Sequence, residues 1–338
     1  MAERAPILIL STVRYCGVVL VTLLGLIAFK EAGARAAELT CWPGGYQQDA
    51  WMAYCNSERY GVYDVEAIWH HVEPDVALVL QDAKIVSLTD SHLQNALSLG
   101  GASQWFAERH YPTYMLGLPT EESGFGERLL DNFHMHPSVV ILDASPYFTG
   151  DVGASERGIF ADPVGSRRQV TDLSEYQGWH RRACDRFPWA CGHNFAYFRS
   201  RTDGHWIFPE PSKRIWIGRQ DVPNDDRHYP VSERPNEREA LYPQYLAVAR
   251  ELVAKLGIPA QCVVLTQVPS EEDLTGLARY IGGPLGITVI DPAVANLSTF
   301  DRSHLTPESS VRWTHQFLTE LEPLLARCIP GKSTSPTE

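Results

Sequence analysis

Positive charge is in short supply in this chain: 29 Lys and Arg stand against 41 Asp and Glu, a formal net charge of −12. Phosphate backbones are gripped by basic faces, so the balance speaks against a nucleic-acid partner. No C-x-x-C pair occurs among the 7 cysteines, which removes the commonest zinc-site spacing. No internal repeat is visible, so a solenoid or propeller is not indicated. No uncharged apolar run reaches the roughly 20 residues of an ordinary membrane span. What is plentiful is core material: 44% hydrophobic and 10% aromatic residues over 338 positions exclude wholesale disorder.

The longest apolar run is Tyr15 to Phe29 (YCGVVLVTLLGLIAF), preceded by Arg4 and Arg14. Positive charge before an apolar run is the cytoplasmic signature. Two readings stand. An uncleaved anchor is somewhat short, whereas a cleaved signal peptide would use Ala34-Arg35-Ala36 as its small-residue site. Lys30 and Glu31 directly after the run favour the anchor. Either way the remainder is exported, and the expected location is the inner membrane with a periplasmic or other extracytoplasmic domain. Residues 1–36 are assigned to this segment, 37–330 to the globular domain and 331–338 to a disordered tail.

Cysteine usage agrees with export. Cys16 lies in the apolar run, and Cys41, Cys55, Cys184, Cys191, Cys262 and Cys328 lie outside it. An even number suits a disulfide framework. Sequence proximity pairs Cys41 with Cys55 and Cys184 with Cys191, leaving Cys262 for Cys328; buried free thiols are the competing reading.

From Ala83 short apolar runs alternate with amphipathic stretches. Strands are expected at Ala83–Leu88, Tyr111–Gly117, Ser138–Asp143, Gln261–Thr266 and Ile287–Asp291. Helices are expected near Leu93–Arg109, Gly126–Phe133 and Glu237–Leu256, and after Thr306, where Pro307 suits a first turn. This pattern predicts an α/β fold with a five-stranded, mainly parallel sheet covered on both faces. Residues 150–237 interrupt it with no sustained helical period and read as an aromatic-rich insertion. Phe160, Tyr176, Trp179, Trp189, Tyr197, Trp206, Phe208 and Trp216 there suit either a sugar-binding surface or the insertion's own core.

Ligands of such sheets bind beyond the carboxyl ends of the strands. Thr89-Asp90-Ser91-His92-Leu93 follows the first strand, placing a serine hydroxyl where a helix N-terminus favours negative charge. Asp301-Arg302-Ser303-His304 lies near the other end of the chain. A serine nucleophile needs a base, and a histidine base needs an acid to fix its tautomer. His92 reads as an exposed turn residue rather than a second base, and His70, His71, His134 and His136 as solvated rather than metal-binding. Asp143 reads as catalytic or as an Asx-turn residue.

Asp-Ser-x-Leu after the first strand and Asp-x-x-His before the last helix resemble the first and last sequence blocks of the SGNH (GDSL-like) hydrolases. Tyr60-Gly61-Val62-Tyr63 and Phe300 to Leu305 are similar to a membrane-anchored bacterial branch of them. The resemblance, over about Lys84–Cys328, implies a three-layer α/β/α sandwich that hydrolyses or transfers acyl esters without metal or organic cofactor. It makes Ser91 the nucleophile, His304 the base and Asp301 its orienter. Ser91, Gly117 and Ser145 would form the oxyanion hole. The family's first-block glycine is Thr89 here, and its third-block asparagine is missing from Asp143-Ala144-Ser145-Pro146. The expected substrate is an acyl ester, with an O-acylated envelope glycan as one class. A binding or scaffold protein on the same fold is the alternative.

Overall fold

The structure is a computed structural model that describes residues 15–26, 50–53, 56–57, 61–117, 125–144, 148, 154–186, 198–207, 229–231, 239–270 and 276–329. Five strands form its central sheet: β1 (Ile85–Thr89), β2 (Thr113–Gly117), β3 (Val139–Asp143), β4 (Val263–Thr266) and β5 (Thr288–Val289). Their order across the sheet is β5-β4-β3-β1-β2, and every pairing is parallel. Parallel neighbours require crossovers, and the intervening helices supply them. The labelled ones are α1 (Ser91–Leu99), α2 (Ala102–Glu108), α3 (Phe125–Asn132), α4 (Tyr242–Leu256), α5 (Leu277–Leu285) and α6 (Pro307–Cys328).

Alternate strand residues feed two cores. Val86, Leu88, Val140, Leu142 and Leu265 join Leu129, Tyr245, Leu252 and Ile281 from α3, α4 and α5. Ile85, Val139, Ile141 and Val264 join Leu93, Leu97, Phe106, Trp313 and Phe317 from α1, α2 and α6. A sheet buried on both sides has no polar face, which is why its strands read as unbroken apolar runs. Successive residues still point to opposite faces, so each run serves both cores.

Several expected boundaries move. The single helix expected at Leu93–Arg109 is two, α1 and α2, divided at Gly100-Gly101. Gly101 takes φ 79°, and a Cβ on Gly100 would overlap Thr314 of α6. A side chain at either position would oppose the bend or the close packing. The helix expected from Glu237 begins as a 3₁₀ turn at Glu239–Leu241 before α4. The last helix starts as expected, with the Thr306 hydroxyl accepting the N–H of Ser309.

Residues 150–237 require a correction: they hold helices at Ala154–Ala161 and Pro163–Arg186. Ile159 and Val170 are buried there, while Arg167, Arg168, Thr171 and Asp172 are exposed. Trp206 is a core residue, 2% exposed, rather than part of an open aromatic surface. Trp189, Tyr197, Phe208 and Trp216 lie outside the described residues, as do Cys41, Cys55, Cys191, Ala34–Ala36, Ser145 and the tail 331–338. Helices at Pro74–Asp82 and Leu277–Leu285 were not foreseen.

Residues 15–26 are helical, with apolar side chains facing outward; Tyr15 and Val21 are 72% and 70% exposed. Among the described residues, no helix is long and apolar enough to cross a membrane.

Cys262 and Cys328 form a disulfide that closes a loop with sequence separation 66, tying the end of α6 to the approach to β4. A loop of that length restricts the unfolded chain by about 4 kcal/mol on the entropy account. Replacing both cysteines by serine is expected to lower Tm by roughly 10 °C in calorimetry. An unchanged Tm would show that the unfolded chain gains nothing from the missing link.

Glu66, in the helix Tyr63–Trp69, is 7% exposed and accepts a 3.4 Å hydrogen bond from the Ser166 hydroxyl. Burial raises its pKa to about 7, with the Ser166 bond opposing the rise. The unfolded carboxyl releases its proton near 4.5, so between these values the folded state holds more protons. Stability attributable to Glu66 is therefore intact at low pH and lost as pH rises toward 7. Glu66→Gln is expected to stabilise the fold by about 2 kcal/mol at about pH 8, after allowance for solvent screening, and to be neutral near pH 4. Urea unfolding at both pH values checks it; equal effects at both would contradict the burial argument.

Candidate active site

β1 runs directly into α1, and this turn carries the serine. Asp90 caps the helix, its carboxylate accepting the N–H groups of His92 at 2.8 Å and Leu93 at 3.4 Å. The Asp90 carbonyl accepts the N–H of Gln94. None of these bonds uses the N–H of Ser91, which stands at the first position of α1 as one of its orphan donors. The Ser91 side chain is partly exposed at this positive helix end.

The second segment is a tight turn before α6. The N–H of Phe300 donates to the carbonyl of His304, and Arg302 takes φ 75°, a conformation uncommon outside glycine. One Asp301 oxygen accepts the N–H groups of Ser303 at 3.0 Å and His304 at 2.7 Å. The other meets His304 Nδ1 at 2.8 Å. An Asp three residues before a His thus binds both its backbone and its ring, because the turn folds the carboxylate back on itself.

The fold brings these two segments together. His304 Nε2 lies 2.9 Å from Ser91 Oγ, a contact spanning 213 residues of sequence. With Nδ1–H donating to the carboxylate, Nε2 is left bare and Ser91 Oγ–H donates to it. His304 is 5% exposed, and its ring lies near-parallel to Phe300 at 5.8 Å and to His92 at 4.9 Å. Burial would raise the pKa of Asp301, but the hydrogen bond and charge of His304 and the two backbone N–H groups bring it below the usual carboxylate range. The acid is therefore anionic wherever the imidazole needs a counter-charge. Ser91, His304 and Asp301 form a continuous path along which a proton can leave the serine.

The remaining expected residues divide. The N–H of Gly117 donates to Gln94 Oε1 at 2.7 Å, so an oxyanion would have to displace that carboxamide. A Cβ at Gly117 would overlap the same side chain, which accounts for the glycine by packing. The Gln94 amide nitrogen in turn donates to the carbonyl of Gly204 at 3.0 Å. Arg199, 1% exposed, donates to the carbonyls of Met115 at 2.7 Å and Gly117 at 2.6 Å, reinforcing the end of β2. Neither Gln94 nor Arg199 had a local sequence signal, since each acts on a strand far away in sequence.

His92 departs most from expectation. It is 8% exposed, not a solvated turn residue. Its Nδ1 donates to Asp90 at 2.7 Å, and its Nε2 accepts the hydroxyl of Ser303. Asp143, wholly buried at the end of β3, is hydrogen-bonded to Asp90 and does not orient His304. Burial would raise the pKa of Asp90, but the charge and ring bond of His92, the Asp143 bond and the His92 N–H lower it. His70 meets Ser166 at 2.8 Å, His71 stacks on Phe133, and His134 and His136 are exposed. Among the described residues, no group of three or more His, Cys, Asp or Glu is placed to hold a metal ion.

Comparison of the chain with protein-family models, with curated proteins and with solved structures returned no match.

Proposed function

We propose that the chain is an extracytoplasmic serine ester hydrolase of the SGNH type, with Ser91 as nucleophile, His304 as general base and Asp301 as its orienter. The observation that carries the reading is the 2.9 Å bond between Ser91 and a histidine whose other nitrogen is held by a carboxylate. That is the arrangement an acyl-transfer nucleophile requires. The sheet order and the helices of its two cores agree with the three-layer architecture expected of such enzymes.

In the reaction Ser91 Oγ attacks the ester carbonyl while its proton passes to His304 Nε2. The tetrahedral adduct collapses, the C–O bond to the alcohol breaks, and the alkoxide takes the proton back from His304. Water then attacks the acyl-serine by the reverse proton route. Among the described residues, the N–H of Ser91, backed by the positive end of α1, is the donor available to the oxyanion. No metal or organic cofactor enters these steps. Transfer to another alcohol instead of water uses the same groups.

Export is supported by the Cys262–Cys328 disulfide, which suits an oxidising compartment, and attachment to a membrane by the outward-facing apolar helix at residues 15–26. The proposed substrate class, an O-acylated envelope glycan, rests on the aromatic character of residues 150–237. A non-catalytic binding role is the second reading, favoured by the engagement of the Gly117 N–H with Gln94. Labelling the purified protein with an alkyl fluorophosphonate and mapping the modified peptide decides between them. Modification of Ser91 supports the enzyme; an unmodified Ser91 supports the binding role.

A further inference from the structure

The two segments that meet at the site each contain an aspartate, a serine and a histidine, and they exchange serines. Asp301 holds His304, which takes the hydroxyl of Ser91. Asp90 holds His92, which takes the hydroxyl of Ser303 across 211 residues. The first relay accounts for the proposed reaction; the second has no part in it.

Each element of that second relay meets the chemical requirement of a nucleophile's support. Asp90 is 3% exposed, and the charge and hydrogen bonds of His92, with a hydrogen bond to Asp143, hold its carboxyl below the usual carboxylate range against the opposing effect of burial. It receives His92 Nδ1–H, so Nε2 faces Ser303 bare and can accept a proton. Ser303 is partly exposed, unlike the buried serines Ser87, Ser309 and Ser310. The two imidazoles lie 4.9 Å apart at an interplanar angle of 13°, so both relays open on one locality.

We propose that Ser303 is a second nucleophile of this site, activated by His92 and Asp90 and reactive toward the same class of acyl ester. The inference rests on the esterase reading given above. Ser303 Oγ bonds to the carbonyl carbon and its proton moves to His92 Nε2. The bond to the leaving alcohol breaks, and that alcohol departs with the proton from His92. The acyl group is left on Ser303, from which water releases it as the acid by the same proton route.

The test uses the full-length chain carrying Ser91→Ala, an alkyl fluorophosphonate and peptide mapping of the product. With this probe the serine oxygen bonds to phosphorus as fluoride leaves. Modification at Ser303 is expected in Ser91→Ala. It should slow by about 10²-fold or more when His92→Gln is added, the loss typical of removing a general base. Ser91→Ala/Ser303→Ala should show no modification in this region, and it keeps the His92 ring should His92→Gln disturb folding. Wild-type protein modified at Ser91, with Ser303 unmodified in Ser91→Ala, overturns the second nucleophile and leaves the esterase reading standing. Modification of Ser303 at the same rate with and without His92→Gln overturns the relay. Wild-type protein modified at neither serine overturns both readings.

Discussion

Ser91→Ala is expected to lower kcat on a short acyl ester by at least about 10³-fold, with the circular dichroism spectrum and Tm unchanged. The hydroxyl lost is partly exposed and bonds to the imidazole of His304, so its removal opens no apolar cavity. The Asp90 cap, which holds the turn through the N–H groups of His92 and Leu93, is untouched. What disappears is the atom that attacks. Adding Ser303→Ala assigns any turnover that survives, since that hydroxyl is the other one held by a histidine here. The measurement is kcat and KM on one ester for wild type and both variants. A kcat within a few-fold of wild type in Ser91→Ala would remove Ser91 from the mechanism.

Asp301→Asn is the second large effect, and it separates an orienting acid from a turn residue. The carboxylate does two things: one oxygen accepts the backbone N–H groups of Ser303 and His304, and the other holds His304 Nδ1. Asparagine keeps one carbonyl oxygen for the backbone, so the turn survives. Its amide nitrogen would then face Nδ1, and a donor there stabilises the tautomer with the proton on Nε2, pointed at Ser91. That ring cannot accept the serine proton. In the serine-protease case the corresponding change costs about 10⁴ in kcat, and a loss between about 10² and 10⁴ is expected here. The loss should fall on kcat with KM nearly unchanged, because the carboxylate acts on the imidazole and not on bound ester. His304→Ala should be at least as damaging. Near wild-type kcat in Asp301→Asn beside an inactive His304→Ala would reduce Asp301 to a turn residue. Asp143 is not placed to replace it, being hydrogen-bonded to Asp90.

The sequence alone determined the repeating strands and helices, and with them the α/β class, because both signals are local. Val139-Val140-Ile141-Leu142 is apolar and mostly β-branched over one strand length, and it forms β3. Thr306-Pro307 carries a cap and a first-turn proline, and it starts α6. Ser91, Asp301 and His304 were legible for a related reason: each sits in a short string at the end of an element, in the order a serine nucleophile requires.

Tertiary structure alone decided the partners. That His92 would turn inward to Ser303, that Gln94 would occupy the Gly117 N–H, and that Asp143 would serve Asp90 depend on which strands lie side by side. Residues 150–237 were misread because the start of their long helix is mostly polar, with Val170 buried among the exposed Arg167, Arg168, Thr171 and Asp172. Hydrogen-bond partners such as His92 and Ser303, 211 residues apart, leave no periodic trace in either segment. Only the packing of α6 on α1, where the Thr314 hydroxyl donates to the carbonyl of Ala96 and Trp313 and Phe317 join Leu93 and Leu97 in one core, delivers the two segments to one place.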